Sequence, residues 1–451
     1  MALYPTGVST FVRRWIERTR AALTSKAGWE ASVTSKIYIP EISSTMESKY
    51  QEAIDAKEIA GAILTAHDSK FHYAKTFGSR TTIDGTEKAL EINDILYLAS
   101  STKLLTTIAA LQCIDRGLLT LTDPVPSHLM PELASIQVLS GFGEDSQPIM
   151  EDKSRPITLQ QLLTHSSGFR YDMMDPVLRQ WQASRNESPQ YASTVESRLG
   201  FPLSFQPGTS WSYGVSVDWA GKLVERASGK TLEEFMCENI WKPLGFEDSE
   251  ATFWPMARPR VKERMVDYNP KDPKGAGLAC TGGHDGQSTV KDCFGGQGVY
   301  SSAPAYLQIL HSLLVNDGKL LKPETADLMF QPQLSPEAHA SFHAILSNPE
   351  TNAWFGQGTP VNLNRDFGLG GLLTLESVEG WYGKGTLMWG GGLNSAWFVD
   401  RENGLCGFGA PQLLRRTDDA VLAGEMKGVW RRGIYEVWRM WKGSGQEGKE
   451  I

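Results

Sequence analysis

The sequence predicts an α/β protein in which an antiparallel sheet, completed by both ends of the chain, is flanked by helices and interrupted by an inserted, mostly helical lobe. Three observations lead there. A helical stretch is followed early by a strand hairpin, the middle of the chain holds short helices and loops, and strand patterns return only past Phe367, before a last amphipathic helix.

Residues 46–58 carry the first helical pattern. Ile59-Ala60-Gly61-Ala62-Ile63-Leu64-Thr65-Ala66 is a continuous apolar run of strand length, and Asp68-Ser69-Lys70 turns it into the return strand Phe71-His72-Tyr73-Ala74. Leu104, Leu105, Ile108, Ala109, Leu111 and Ile114 recur at helical spacing up to Gly117, which predicts a buried helix. Asp123-Pro124-Val125-Pro126 breaks the chain. Two helices stand out in the middle region: Thr158 to Leu163, closed by Ser166-Ser167-Gly168, and Val217 to Ala227, closed by Ser228-Gly229. Another follows Pro304 through Leu307, Ile309, Leu310, Leu313 and Leu314. Past Phe367-Gly368-Leu369-Gly370-Gly371 come strands at Leu387–Trp389, Ala396–Val399 and Cys406–Ala410, with Asp400 to Gly404 as a turn, and a helix from about Asp418 to Lys442. The expected organisation is an extension over residues 1–45 and one domain over 46–451. Its sheet lobe comes from about 46–100 and 290–451, its helical lobe from about 101–289, and a ligand cleft is expected between them.

Bulk properties narrow the function. A net charge of −8, a pI near 5.6 and the lack of a long basic run argue against a nucleic-acid partner. No apolar run approaches the roughly 18 residues of a membrane span. The five cysteines, Cys113, Cys237, Cys280, Cys293 and Cys406, never form a C-x-x-C pair. Free thiols in a reducing, cytoplasmic setting are expected, with no disulfide framework, no metal site and no cofactor. The first 30 residues lack the apolar core of a secretory signal. Arg13, Arg14, Arg18 and Arg20 with Phe11, Val12, Trp15, Ile16 and Leu23 suit an amphipathic helix, while Glu17 and Pro5 argue against a mitochondrial presequence.

The chemistry concentrates at Tyr97-Leu98-Ala99-Ser100-Ser101-Thr102-Lys103. It contains S-x-x-K at the mouth of the buried helix, so Lys103 lies one turn beyond Ser100 on the same face. The helix N-terminus adds free N–H groups and positive potential, a setting that suits a nucleophilic hydroxyl. A plain helix cap gives the same pattern, and Ser288-Thr289-Val290-Lys291 repeats it among glycines with no apolar helix after it. Tyr213, in Ser212-Tyr213-Gly214 ahead of the Val217 helix, is the candidate proton acceptor, although a packed aromatic would look alike. A free phenol titrates near 10, and lowering that by three units takes about 4 kcal/mol of anion stabilisation, which an adjacent ammonium and a helix N-terminus are the right kind of groups to supply. Trp389-Gly390-Gly391-Gly392 ends a strand with three glycines, which let a backbone approach a ligand or simply turn.

Taken in this order, the three motifs resemble the serine β-lactamase and penicillin-binding-protein fold, specifically the class C β-lactamase and family VIII carboxylesterase branch. Leu98 to Thr107, Leu162 to Gly168, Asp218 to Arg226, Cys293 to Val299 and Gly390 to Gly392 are further similar to the fungal lovastatin acyltransferase and statin esterase group. The resemblance implies Ser100 as nucleophile, Lys103 as its partner in proton transfer, Tyr213 as general base, and the N–H groups of Ser100 and Gly392 as an oxyanion hole. It also implies a substrate pocket involving Tyr97, Arg198, Trp389, Gly390 and Gly391, with Arg198 a candidate to pair with a substrate carboxylate. Two departures speak against a β-lactamase. Gly214 and Val215 stand where class C enzymes carry Asn two residues past the Tyr, and the usual K-T-G is Trp389-Gly390-Gly391, which favours an apolar substrate over a small anionic one. His165, beside Ser166, Ser167 and Gly168, lacks a G-x-S-x-G elbow and is expected to be structural. The implied activity is a serine carboxylesterase acting through an acyl-enzyme on a bulky hydrophobic natural-product ester of the lovastatin side-chain type. An acyltransferase using a thioester, with an acyl-thioester carrier as partner, and a non-catalytic scaffold are the alternatives.

Overall fold

The computed structural model describes residues 45–82, 86–185, 192–246, 250–266, 290–392, 395–413 and 419–444. Its main sheet comprises β1 (Ile59–His67), β2 (His72–Thr81), β3 (Glu87–Ala89), β9 (Arg365–Phe367), β10 (Leu372–Thr374), β11 (Leu387–Gly391), β12 (Ser395–Asp400) and β13 (Leu405–Leu413). The strands run antiparallel in the order β3-β2-β1-β13-β12-β11-β10-β9. Asp68 makes the first hairpin by accepting the N–H groups of Lys70 and Phe71, both at 2.6 Å. On its other side β1 pairs with β13, Ile63 opposite Ala410, so the two ends of the chain meet inside one sheet.

Around it lie α1 (Thr45–Asp55), α2 (Thr102–Asp115), α3 (Leu159–Leu163), α4 (Val195–Leu199), α5 (Ser216–Ser228), α6 (Ala303–Val315), α7 (Pro336–Ser347), α8 (Pro349–Phe355) and α9 (Asp419–Gly443). The period-two alternation of β13 sorts two of them to opposite faces. Gly407 and Gly409 face Trp430 of α9, where an added Cβ on Gly409 would lie 2.6 Å from the indole. Phe408 faces the other way and packs on Tyr306 of α6 with ring centroids 4.9 Å apart. On the α9 side, Tyr50 of α1 donates to the Met426 carbonyl at 2.8 Å. α2 is buried from Thr102 through Cys113 and packs against α5.

The predicted helices and strands are present, with local chemistry at their ends. Thr158 caps α3 through a capping box with Gln161, and Gly229 ends α5 at φ 71°. Several short strands escape a periodicity reading. β4 (Ile95–Tyr97), β8 (Tyr300–Ser302) and β7 (Ala251–Thr252) form a small sheet, and β5 (Val138–Phe142) pairs with β6 (Pro148–Glu151) inside the mostly helical stretch. Segments of two to five residues are too short to declare a period. The possible helix near residues 11–23, Ser288 of the second S-x-x-K, and Cys280 lie outside the described residues. Cys113, Cys237, Cys293 and Cys406 form no disulfide among the described residues. Among the described residues no helix is long and apolar enough to cross a membrane, and no group of three or more His, Cys, Asp or Glu is placed to hold a metal ion.

A stack of imidazoles closes the first hairpin against α6. The His67 ring lies 3.6 Å from that of His72 and 4.0 Å from that of His311. Burial lowers all three, His67 to about 2; His72 and His311 further disfavour charge on His67, and His311 does so on His72, while Asp68 partly offsets this for His72, and Asp317 with Asp68 for His311. Below the ordinary histidine value of about 6.5 the unfolded chain therefore binds protons that the folded chain refuses, and stability falls as pH drops from there. The slope expected from one such group is at most about 1.4 kcal/mol per pH unit. Melting temperatures between about pH 7 and pH 4 should fall for the natural sequence and fall less for His67→Gln. On the opposite face, Gly409→Val should cost about 1–3 kcal/mol in denaturant unfolding, because the new side chain must displace Trp430.

Candidate active site

The turn that presents Ser100 is a single 3-10 turn, Ala99–Ser101, leading directly into α2. Ala99 adopts φ 46°, in the left-handed region that a residue with a Cβ occupies at a cost of about 1–3 kcal/mol. Packing on three sides holds it there. The Leu98 N–H donates to the Val299 carbonyl at 2.9 Å, Tyr306 donates to the Ser101 carbonyl at 2.8 Å, and the Ser101 and Ser395 hydroxyls lie 2.9 Å apart. Strand β11 closes against the same turn. A Cβ on Gly391 would stand 2.0 Å from the Leu98 carbonyl oxygen, so only glycine lets the strand end come this near. Gly392 follows at φ 49°, its carbonyl accepting from Lys427.

Lys103, one turn into α2, is buried and sits at the centre of a polar cluster. Its Nζ donates to Ser100 Oγ at 3.2 Å, to Tyr171 Oη at 3.1 Å and to the Gly296 carbonyl at 2.8 Å, and it lies 4.7 Å from the centroid of the Tyr213 ring. The Gly296 N–H in turn donates to Asp218 Oδ1 at 2.9 Å. Burial works against charge on Lys103, but Tyr171, Tyr213 and Asp218 outweigh it and hold the amine above the ordinary lysine value. Burial raises Asp218, while Lys103, the Gly296 N–H and Arg198 pull it back.

Tyr213 stands just ahead of α5. Trp389 Nε1 donates to its hydroxyl oxygen at 3.3 Å, and the two rings are 5.2 Å apart. Phe355 of α8 lies 5.7 Å from Tyr213, and Phe367 lies 5.4 Å from Trp389. This side of the site is therefore an aromatic wall. His165 packs beneath Tyr213 with ring centroids 4.7 Å apart, and its Nδ1 lies 3.0 Å from Ser216 Oγ and 3.4 Å from the Gly214 N–H that donates to it. Buried and lowered well below the usual histidine range by burial and by Lys103, it braces the tyrosine loop.

Ser100, Lys103, Tyr213, Trp389, Gly390, Gly391 and Gly392 are thus gathered around one end of α2 and β11. Tyr97 and Arg198 come from other elements. Tyr97 is buried in β4 against Tyr300, with ring centroids 4.9 Å apart. Half-buried Arg198 of α4 stacks on Phe294 at 4.7 Å and donates through Nε to the Ala192 carbonyl, close enough to Tyr97 and Asp218 to feel both. Three members of the cluster were not singled out for any role by their sequence context: Tyr171, Asp218 and Gly296. Tyr171 follows the Ser166-Ser167-Gly168 stop of α3 with no motif of its own, and Asp218 looks like an ordinary acidic residue in a first helical turn.

Comparison with known proteins identifies the family. The profile of the Beta-lactamase family matches residues 46–423. The chain is 47% identical over 406 residues to a lovastatin esterase of Penicillium rubens, covering 88% of this chain and all of that protein. It is 40% identical to a monacolin J acid methylbutanoyltransferase of Aspergillus terreus, over 80% of this chain and 88% of that one. Unliganded simvastatin synthase from Aspergillus terreus superposes with a TM-score of 0.77 at 37% identity, covering 87% of this chain and 98% of that structure. The chain belongs to the Beta-lactamase family, and it is an enzyme of that family's serine hydrolase and acyltransferase type. Gly391→Ala should push β11 away from Leu98 and lower kcat by about 10²–10³-fold with a smaller change in KM, the loss expected when one oxyanion donor is misplaced; steady-state kinetics on a chromogenic ester check this.

Proposed function

We propose that this member of the Beta-lactamase family is a serine carboxylesterase that cleaves the side-chain ester of a lovastatin-type polyketide through an acyl-enzyme. The observation that carries the reading is the Lys103 amine bonded to the Ser100 hydroxyl at 3.2 Å beside a wall of Tyr213, Trp389 and Phe367. A hydroxyl next to a charged donor is set up for attack, and an apolar wall suits a bulky ester better than a small anion.

Ser100 Oγ attacks the ester carbonyl carbon and its proton passes to the Tyr213 oxygen, which acts in its phenolate form, with Lys103 as the partner in the transfer. The carbonyl oxygen becomes an oxyanion held by the N–H groups of Ser100 and Gly392. As the tetrahedral adduct collapses, the bond to the alcohol oxygen breaks and the alcohol leaves with that proton. Water then attacks the acyl carbon, gives a proton to Tyr213 and a hydroxyl to the acid, and the Ser100 hydroxyl is restored. The indole N–H of Trp389, aimed at the Tyr213 oxygen, and the Lys103 ammonium at its ring both favour transient negative charge there. Tyr97, Trp389, Gly390 and Gly391 shape the substrate pocket, and Arg198 is placed to pair with a substrate carboxylate. Cysteines outside disulfides suit a cytoplasmic enzyme. An acyl group handed to a polyketide alcohol instead of water is the second reading, favoured by the 40% identity to a methylbutanoyltransferase; its donor would be an acyl-thioester carrier.

Incubation with lovastatin should release free 2-methylbutyrate and the deacylated alcohol, and Ser100→Ala should lower that rate by about 10⁴-fold or more. No release of acid from lovastatin, by an enzyme whose Ser100 still reacts with a fluorophosphonate, would remove the substrate assignment. Product formed only when an acyl-thioester and the deacylated alcohol are supplied together would move the assignment to acyl transfer.

A further inference from the structure

Gly392 sits where the sheet's own bonding stops. The ladder between β11 and β12 ends with Gly391 opposite Ser395, so Gly392 lies beyond the last pair, at φ 49°. Glycine enters and leaves the left-handed region with little cost, so an N–H offered there as an oxyanion donor needs a hold from outside the ladder. That hold comes from the last helix. Lys427 of α9, 35 residues further along the chain, donates from Nζ to the Gly392 carbonyl at 2.6 Å. Its own base is firm. The Met426 carbonyl just before it accepts the Tyr50 hydroxyl at 2.8 Å. Trp430, three residues on and so on the same face of the helix, fills the space left by Gly407 and Gly409 of β13. Half-buried Lys427 thus reaches the tip of the hairpin from a turn of α9 fixed at both ends.

We infer that Lys427 is a positioning residue for the reaction: by holding the Gly392 carbonyl it fixes the Gly391–Gly392 peptide, so that the Gly392 N–H stays aimed at the substrate oxygen as that oxygen becomes negative. The inference rests on the reading of Gly392 as an oxyanion donor and goes beyond it, because it gives the last helix a part in the chemistry. Gly391 is set against the Leu98 carbonyl oxygen, where a Cβ would stand 2.0 Å away, and the Gly392 carbonyl is tied to Lys427. The peptide between them rotates only by giving up one of these two contacts. A donor held still before the charge develops costs no reorganisation when it does, which is the source of an oxyanion hole's effect on rate. Such a role stabilises the transition state and leaves ground-state binding nearly untouched.

The test is steady-state kinetics of the full-length chain on a chromogenic ester, beside its affinity for the matching trifluoromethyl ketone, whose adduct with Ser100 Oγ carries an oxyanion in the same place. Lys427→Met, which keeps the stem and removes the donor, should lower kcat by about tenfold and change KM by less than about twofold. Its affinity for the ketone should fall by the same factor as kcat, while its affinity for the alcohol product stays that of the wild type. Lys427→Arg, which can still donate to the carbonyl, should recover most of kcat. A merely structural role would lower the melting temperature and leave the ratio of ketone to alcohol affinity in place. An unchanged ratio in Lys427→Met, measured on its folded fraction whatever its melting temperature, therefore overturns the inference. So does a loss confined to KM, or a Lys427→Arg no faster than Lys427→Met. A wild-type enzyme that the ketone fails to inhibit, although a fluorophosphonate labels Ser100, overturns instead the reading of Gly392 as an oxyanion donor, a distinct outcome.

Discussion

A lysine amine buried at the meeting point of the molecule's parts is the constraint to which the rest of the structure is fitted. Removing an ammonium from water is expensive, and the protein offsets it with three oxygen acceptors on Lys103 Nζ, from Ser100, Tyr171 and Gly296, and with the face of the Tyr213 ring. Each acceptor arrives on a different segment, so the four must be brought together at once. The burial of α2 follows from this placement: its first turn carries the amine, and its remaining turns pack on α5.

The sheet serves the same end by allowing close approach. Gly391 brings β11 onto the Leu98 carbonyl, and Gly407 and Gly409 let Trp430 settle onto β13. Rigidity here matters because the Ala99–Ser101 turn holds a left-handed residue just before the hydroxyl. The hydrogen bonds from Leu98 and Tyr306 and the Ser101–Ser395 contact hold the turn on both sides of Ala99 and Ser100.

Substrate preference is written on the opposite wall. Where a β-lactam-binding relative of this fold would present a cation and a hydroxyl, this chain presents the Trp389 indole, stacked among Tyr213 and Phe367, with its single polar atom already bonded to the Tyr213 oxygen. The tryptophan therefore has two consequences, an apolar surface for a large acyl or ring system and a donor on the phenol. Both agree with the similarity to a lovastatin esterase and a methylbutanoyltransferase.

What the linear order of residues determined by itself was whatever depends on near neighbours. The i, i+3 spacing of Ser100 and Lys103, the apolar repeat behind them, the Thr158 cap, the Gly229 stop and the alternation of the closing strands are local, and the overall layout followed from their order. Tertiary structure alone decided the acceptors of the amine. Tyr171 lies 68 residues from Lys103 and Gly296 lies 193, while Asp218 reaches Gly296 across 78. It also decided that Arg198 stacks on Phe294 beside Tyr97, and that three-residue strands join segments far apart. The physical reason is that hydrogen bonds to a buried charge have no sequence period; they exist only where burial makes an unmet bond too costly to leave.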